Sequence, residues 1–175
     1  PGLPTSEEQA RWRMRLGLPA PLPLFFSAIR YAEPRSLHDV AAHVPTGPEA
    51  AALLVTGIAD PGPLLAHVRE RFGTVEHLAF PDHHRFSRAD QERIAQRFVS
   101  FAGLQKTLIT TEKDAARLGG ALIDGPLEDI PIAVIGIQAE ILNEPHTFAA
   151  LLRAHVATHP AHRRPPEEGH QRLHP

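Results

Sequence analysis

The sequence predicts an α/β fold: a three-layer α/β/α sandwich around a mainly parallel sheet of about four to five strands. Three observations predict it. From residue 49 onward, short apolar runs alternate with segments whose apolar residues recur at helical spacing. Most of these runs hand over to a polar cluster that can cap the helix behind it. The chain has 175 residues, enough for one domain with a core and too few for two comfortable ones.

The elements follow in order. Glu7 to Leu16 sets Trp12 and Leu16 four apart with charges between, behind Thr5 or Ser6 as caps, and predicts a short amphipathic helix closed by Gly17. Leu22 to Ile29, with Phe25 and Phe26, reads as a buried strand joining a sheet edge. Ala32 to Pro48 carries Pro34, Pro45, Gly47 and Pro48 and reads as connection, with one short helix around Ser36 to Ala42. Ala51 to Thr56 is a continuous apolar strand, after which Asp60 is a natural N-cap and Pro61 a natural first helical residue. Leu64, Leu65, Val68 and Phe72 share a face, Gly73 stops that helix, and Val75 to Phe80 supplies the next strand. Because such crossovers are right-handed, the Gly57 and Phe80 turns should open at one carboxyl edge and put Asp60 and Asp82 on one rim. Ser87 to Asp90 resembles a capping box for a helix through Ile94, Phe98 and Phe101 that ends at Gly103. Thr107 to Thr110 is a strand, Thr111 caps a helix through Leu118, Pro131 to Ile137 is the last strand, and Phe148, Leu151, Leu152 and Val156 line a closing helix. Residues 1–48 are therefore read as helix, strand and connection and 49–158 as the α/β/α domain. Residues 159–175, rich in histidine and proline, are read as a disordered tail.

Composition narrows the function. Eighteen basic against twenty acidic side chains leave a net charge of -2 with no basic block, which argues against nucleic acid as a partner. The absence of cysteine excludes disulfides, thiolate zinc sites and thiol nucleophiles, and fits a cytosolic compartment. No apolar run approaches the roughly 18 residues of a membrane span.

Two clusters carry chemistry. Phe80-Pro81-Asp82-His83-His84 packs a carboxylate and two imidazoles where a strand ends, a group suited to acid/base work, metal binding or phosphate contact, or equally to a hydrogen-bonded loop before a helix. A metal phosphoesterase of the Asp-His-His type would need further aspartates, commonly Asp-x-Asp, and the chain has none. Thr110-Thr111-Glu112-Lys113-Asp114 can hold an anion through free backbone N–H groups, two hydroxyls and Lys113, or simply cap its helix. The phosphate-cradling Gly-x-x-x-x-Gly-Lys-Ser/Thr loop of nucleotide-hydrolysing enzymes does not occur.

Taken in order, Gly57-Ile58-Ala59-Asp60-Pro61, Phe80-Pro81-Asp82-His83-His84 and Thr110-Thr111-Glu112-Lys113-Asp114-Ala115 resemble the C-terminal half of the tetraacyldisaccharide 4′-kinases. The likeness is good over residues 22–118 and extends weakly to 157. It implies a two-domain, P-loop-kinase-like enzyme that phosphorylates the 4′ hydroxyl of the lipid A disaccharide 1-phosphate precursor from Mg-ATP at the cytoplasmic face of the inner membrane. It also implies that ATP and Mg²⁺ are held mainly by an N-terminal half absent here. His83 and its neighbour Asp82 match the catalytic positions, His83 pairing with an aspartate of that other half. His84, Thr110, Thr111 and Lys113 match positions for substrate or phosphate contact. The resemblance implies no metal ligand and no cofactor for this chain alone, no turnover without its partner half, and peripheral membrane contact only in the full enzyme. The competing reading is a non-catalytic α/β module whose rim holds a ligand or a partner.

Overall fold

The computed structural model describes residues 2–39, 41–122 and 124–158, so the 159–175 tail lies outside the described residues. In chain order the elements are α1 (Ser6–Arg15), β1 (Ser27–Tyr31), β2 (Arg35–Ser36), β3 (Gly47–Thr56), α2 (Gly62–Arg69), β4 (Phe72–Ala79) and α3 (Arg88–Ser100). They continue with β5 (Gln105–Thr111), α4 (Glu112–Leu118), a 3-10 helix at Gly119–Leu122, β6 (Ile132–Ile135), β7 (Ile137–Ile141) and α5 (Pro145–Thr158). The described residues form two compact units, Ile29–Ala139 and, together, residues 2–28 and 140–158.

The larger unit is built on β3. Its Ala50 to Val55 are all buried, because helices cover both faces of a parallel sheet and a strand inside it cannot alternate apolar with polar. Ala51, Leu53 and Val55 face a core shared with Ile94 and Phe98 of α3 and Leu118 of α4. Ala50, Ala52 and Leu54 face the opposite core with Leu64 and Val68 of α2. The sheet runs β2-β6-β5-β3-β4, with β3 parallel to both β4 and β5, β5 parallel to β6, and β2 antiparallel to β6. This is the predicted three-layer α/β/α sheet.

Several local readings change. The region around Ser36 to Ala42 forms no helix among its described residues, and Arg35 and Ser36 instead add a short antiparallel edge to β6. The apolar run from Leu22 becomes strand only at Ser27, since Asn143 holds the Leu24 carbonyl (2.8 Å) and the Phe26 amide (2.7 Å) with its side chain. The run read as one strand from Pro131 to Ile137 breaks at Gly136, β6 joining the main sheet and β7 pairing with β1 in a separate two-stranded sheet. Pro61, not Asp60, is the N-cap of α2, although Asp60 Oδ1 accepts the Gly62 amide at 3.1 Å.

Gly73 also has a different part from the helix stop expected of it. It lies inside β4, where a Cβ would sit 1.8 Å from the Pro48 carbonyl oxygen of the neighbouring strand. Backbone cannot yield as a side-chain tip can. Gly73→Ala is accordingly expected to lower stability by about 1–3 kcal/mol or more through overpacking, read as a lower urea midpoint. An unchanged midpoint would refute that contact.

In the smaller unit, α1 starts on a reciprocal capping box in which Thr5 Oγ1 accepts the Glu8 amide and the Glu8 carboxylate accepts the Thr5 amide at 2.8 Å. Phe25 meets Phe148 of α5 edge to face, with ring centroids 5.1 Å apart.

Candidate functional site

The strand order makes a crevice. From β3 the chain moves to β4 on one side, then crosses back through α3 to β5 on the other, so connections diverge at the carboxyl ends of β3 and β5. Open α/β sheets bind ligands at such a switch point. Here the crevice floor is Gly57, which follows β3, and the start of α4, which follows β5.

One buried carboxylate ties these ends together. Asp114, wholly buried, accepts the Gly57 amide at 3.0 Å and the Thr111 hydroxyl at 2.9 Å, both through Oδ2. Its Oδ1 takes Arg117 Nη1 at 3.0 Å. Arg117 Nη1 also donates to the Gly57 carbonyl at 3.0 Å, and Nη2 reaches His83 Nδ1 at 3.1 Å. A cavity of about 580 Å³ opens beside this network, lined by His83, His84, Arg85, Phe86 and Arg117.

The Pro81 to His84 loop is a tight turn closed by the His84 amide on the Pro81 carbonyl at 3.2 Å. His83 stands in the left-handed region at φ 58°, a conformation in which histidine is enriched among non-glycine residues. Its amide is held by the Gly57 carbonyl at 3.2 Å and by Asp82 Oδ1 at 2.9 Å. The backbone therefore fixes a ring that is itself 73% exposed. Asp82 Oδ2 lies 3.5 Å from His83 Nε2, and Lys113 Nζ lies 3.8 Å from Asp82 Oδ1.

The structure thus brings Asp82, His83 and Lys113 together on the rim, puts His84 beside His83 in the cavity wall, and buries Thr110 and Thr111. Thr110 is buried in the sheet and donates its hydroxyl to the Val55 carbonyl at 2.9 Å. Thr111 caps α4 and is held by Asp114, as its capping role required. His84 lines the cavity but aims its Nε2 at α3, packed between Phe80 and Phe86 and 3.0 Å from Asp90 Oδ2. Sequence reasoning noted Asp114 only as a capping neighbour and missed Arg117. The signal was their i, i+3 spacing, which places an acid and a base on one helical face. Among the described residues no three His, Asp or Glu side chains are placed to hold a metal ion.

The His84 contact has a measurable consequence. The Ser87 hydroxyl first, then His84 and the Ser87 amide, hold the Asp90 carboxyl down at about 2 against an ordinary 3.8. A depressed folded pKa stabilises above the unfolded value and is lost as pH falls through the folded one. Asp90→Asn should therefore lower stability at neutral pH, and the difference from wild type should fade as pH drops from 3.8 to about 2. Urea unfolding across that range tests it; a difference independent of pH would count against it.

Residues 7–157 match the family model for tetraacyldisaccharide-1-P 4′-kinase, most of the chain and all of the site just described. The chain belongs to that family. It is 38% identical to the tetraacyldisaccharide 4′-kinase of Bacteroides thetaiotaomicron over 105 residues, 54% of this chain and 28% of that protein. The kinase of the same name from Flavobacterium johnsoniae is 33% identical over 128 residues, 73% of this chain and 36% of its own length. That from Parabacteroides distasonis is 47% identical over 66 residues, 38% of this chain and 18% of its own. The chain thus spans about a third or less of the curated relatives it matches. No solved structure matches. In this family member the exposed polar cluster of Asp82, His83 and Lys113 lies at the switch point of an open α/β sheet, where such sheets meet ligands.

Proposed function

We propose that this chain is the C-terminal domain of a tetraacyldisaccharide 4′-kinase and supplies His83 to a cleft completed by a nucleotide-binding half. The whole enzyme moves the γ-phosphate of ATP to the 4′ hydroxyl of the lipid A disaccharide 1-phosphate precursor. The observation that carries this reading is the family match over residues 7–157, which includes the rim formed by Asp82, His83 and Lys113. Phosphoryl transfer depends chiefly on positioning and on charge stabilisation by a phosphate-binding loop and Mg²⁺. That loop is not among these 175 residues, so ATP and Mg²⁺ fall mainly to the other half and the chain alone is inactive. Among the described residues no helix is long and apolar enough to cross a membrane. In this reading the whole enzyme makes peripheral contact with the cytoplasmic face of the inner membrane.

The test supplies the nucleotide-binding half of a relative in trans and assays ATP-dependent phosphorylation of the disaccharide 1-phosphate. Activity that needs both polypeptides and falls with His83 substitution supports the reading. Turnover by this chain alone would refute the division of labour. A complex that forms, binds ATP and never phosphorylates would favour a ligand- or partner-binding module instead.

A further inference from the structure

We propose that Arg117 is a positioning residue that fixes His83 in the tautomer with its proton on Nε2. A guanidinium has only N–H donors and does not deprotonate in proteins. Arg117 Nη2 lies 3.1 Å from His83 Nδ1, so this ring nitrogen must offer a lone pair for the contact to be a hydrogen bond. The remaining proton of the neutral ring then sits on Nε2.

Both partners are held from behind. Arg117 Nη1 is bound to the Gly57 carbonyl and to Asp114 Oδ1, each at 3.0 Å, and Asp114 is wholly buried and tied to the Gly57 amide. The guanidinium therefore cannot simply follow the ring. On the other side, the His83 backbone is pinned to the same Gly57 carbonyl and to Asp82. The charged groups the geometry places around the ring are Arg117 at Nδ1 and Asp82 near Nε2, with Lys113 behind Asp82 and Arg85 lining the same cavity. Asp82 Oδ2, 3.5 Å from Nε2, is an acceptor on the side where the proton is assigned. Gly57 meets Arg117, Asp114 and the His83 amide, so the end of β3 sets the ring and its anchor together.

His83 so held presents an N–H to an incoming carboxylate or phosphate oxygen. That consequence for phosphoryl transfer rests on the kinase reading above; the tautomer does not.

The experiment is a long-range ¹H–¹⁵N correlation spectrum of the ¹⁵N-labelled full chain at mildly alkaline pH, where imidazoles are neutral, with His83 signals assigned by their loss in His83→Asn. The wild type should show a bare Nδ1 and a protonated Nε2, favoured by about tenfold or more, as expected of a hydrogen bond to a charged donor. Arg117→Met should let both tautomers populate, while Arg117→Lys, whose ammonium also only donates, should keep part of the bias. A wild-type ring protonated mainly on Nδ1, or populations unmoved in a folded Arg117→Met, would overturn the assignment. If Arg117→Met does not fold, the wild-type spectrum decides alone, since an Nε2 preference no greater than the few-fold one of a free neutral histidine ring also overturns it. No nucleotide, substrate or second polypeptide is present, so failure here leaves the kinase reading standing and failure of that reading leaves the tautomer intact.

Discussion

Asp114→Ala is expected to destabilise the larger unit by about 3–5 kcal/mol, the loss typical when one member of a buried ion pair is removed. Domains of this size carry about 5–15 kcal/mol in total, so the variant stands near the edge of folding. The reason is geometric. Asp114 is wholly buried, and its carboxylate satisfies the Gly57 amide, the Thr111 hydroxyl and Arg117 at 2.9 to 3.0 Å. Truncation strands a guanidinium that is itself only 20% exposed and releases the β3 end from the start of α4. Asp114→Asn keeps the shape and one acceptor and should lose less, about 1–3 kcal/mol. Urea unfolding of the two variants and of Arg117→Met, with the double variant Asp114→Ala/Arg117→Met, measures the coupling. Residues in such contact usually couple by about 0.5–3 kcal/mol, and strict additivity would show that the pair acts independently.

The part of this network legible in the sequence is the part that depends on local pattern. Thr111 and Asp114 three residues apart announce a helix cap, and the apolar run from Ala51 to Thr56 announces a strand buried on both faces. Both follow from spacing alone. The convergence on Gly57 does not. Its amide and carbonyl meet side chains 57 and 60 residues further on, and only the crossing of β5 to the far side of β3 brings them there. For the same reason Asn143 could not be read as the group that keeps Leu22 to Phe26 out of a strand, because it lies 117 residues from Phe26. Gly73 failed differently: its spacing suits a helix end, but the close approach of the Pro48 backbone inside the sheet requires it. Of the candidate site, Asp82, His83 and Lys113 were legible as polar residues at strand and helix ends. The burial of Thr110 and the turning of His84 toward Asp90 were not, since period and capping do not say which way a rim side chain leaves the sheet.

His83→Asn, with the nucleotide-binding half supplied in trans, should lower kcat by about 10²- to 10⁴-fold, the range for loss of a positioned acid/base group. Asparagine is the informative replacement. His83 has φ 58°, where alanine is strained and asparagine is tolerated, so the change removes the imidazole without disturbing the turn. The ring is 73% exposed, so losing it together with its Arg117 contact should lower stability by no more than about 1 kcal/mol. A group that acts in the transition state lowers kcat and kcat/KM together, whereas one that only binds substrate raises KM at constant kcat. Thr110→Val gives the opposite pattern: its hydroxyl donates to the Val55 carbonyl inside the sheet, so stability should fall by about 1 kcal/mol while kcat holds. The two variants separate rim from scaffold between the two polar motifs. A His83→Asn enzyme that keeps kcat within about threefold of wild type would remove His83 from the chemistry, because a loss that small corresponds to less than about 1 kcal/mol of transition-state stabilisation.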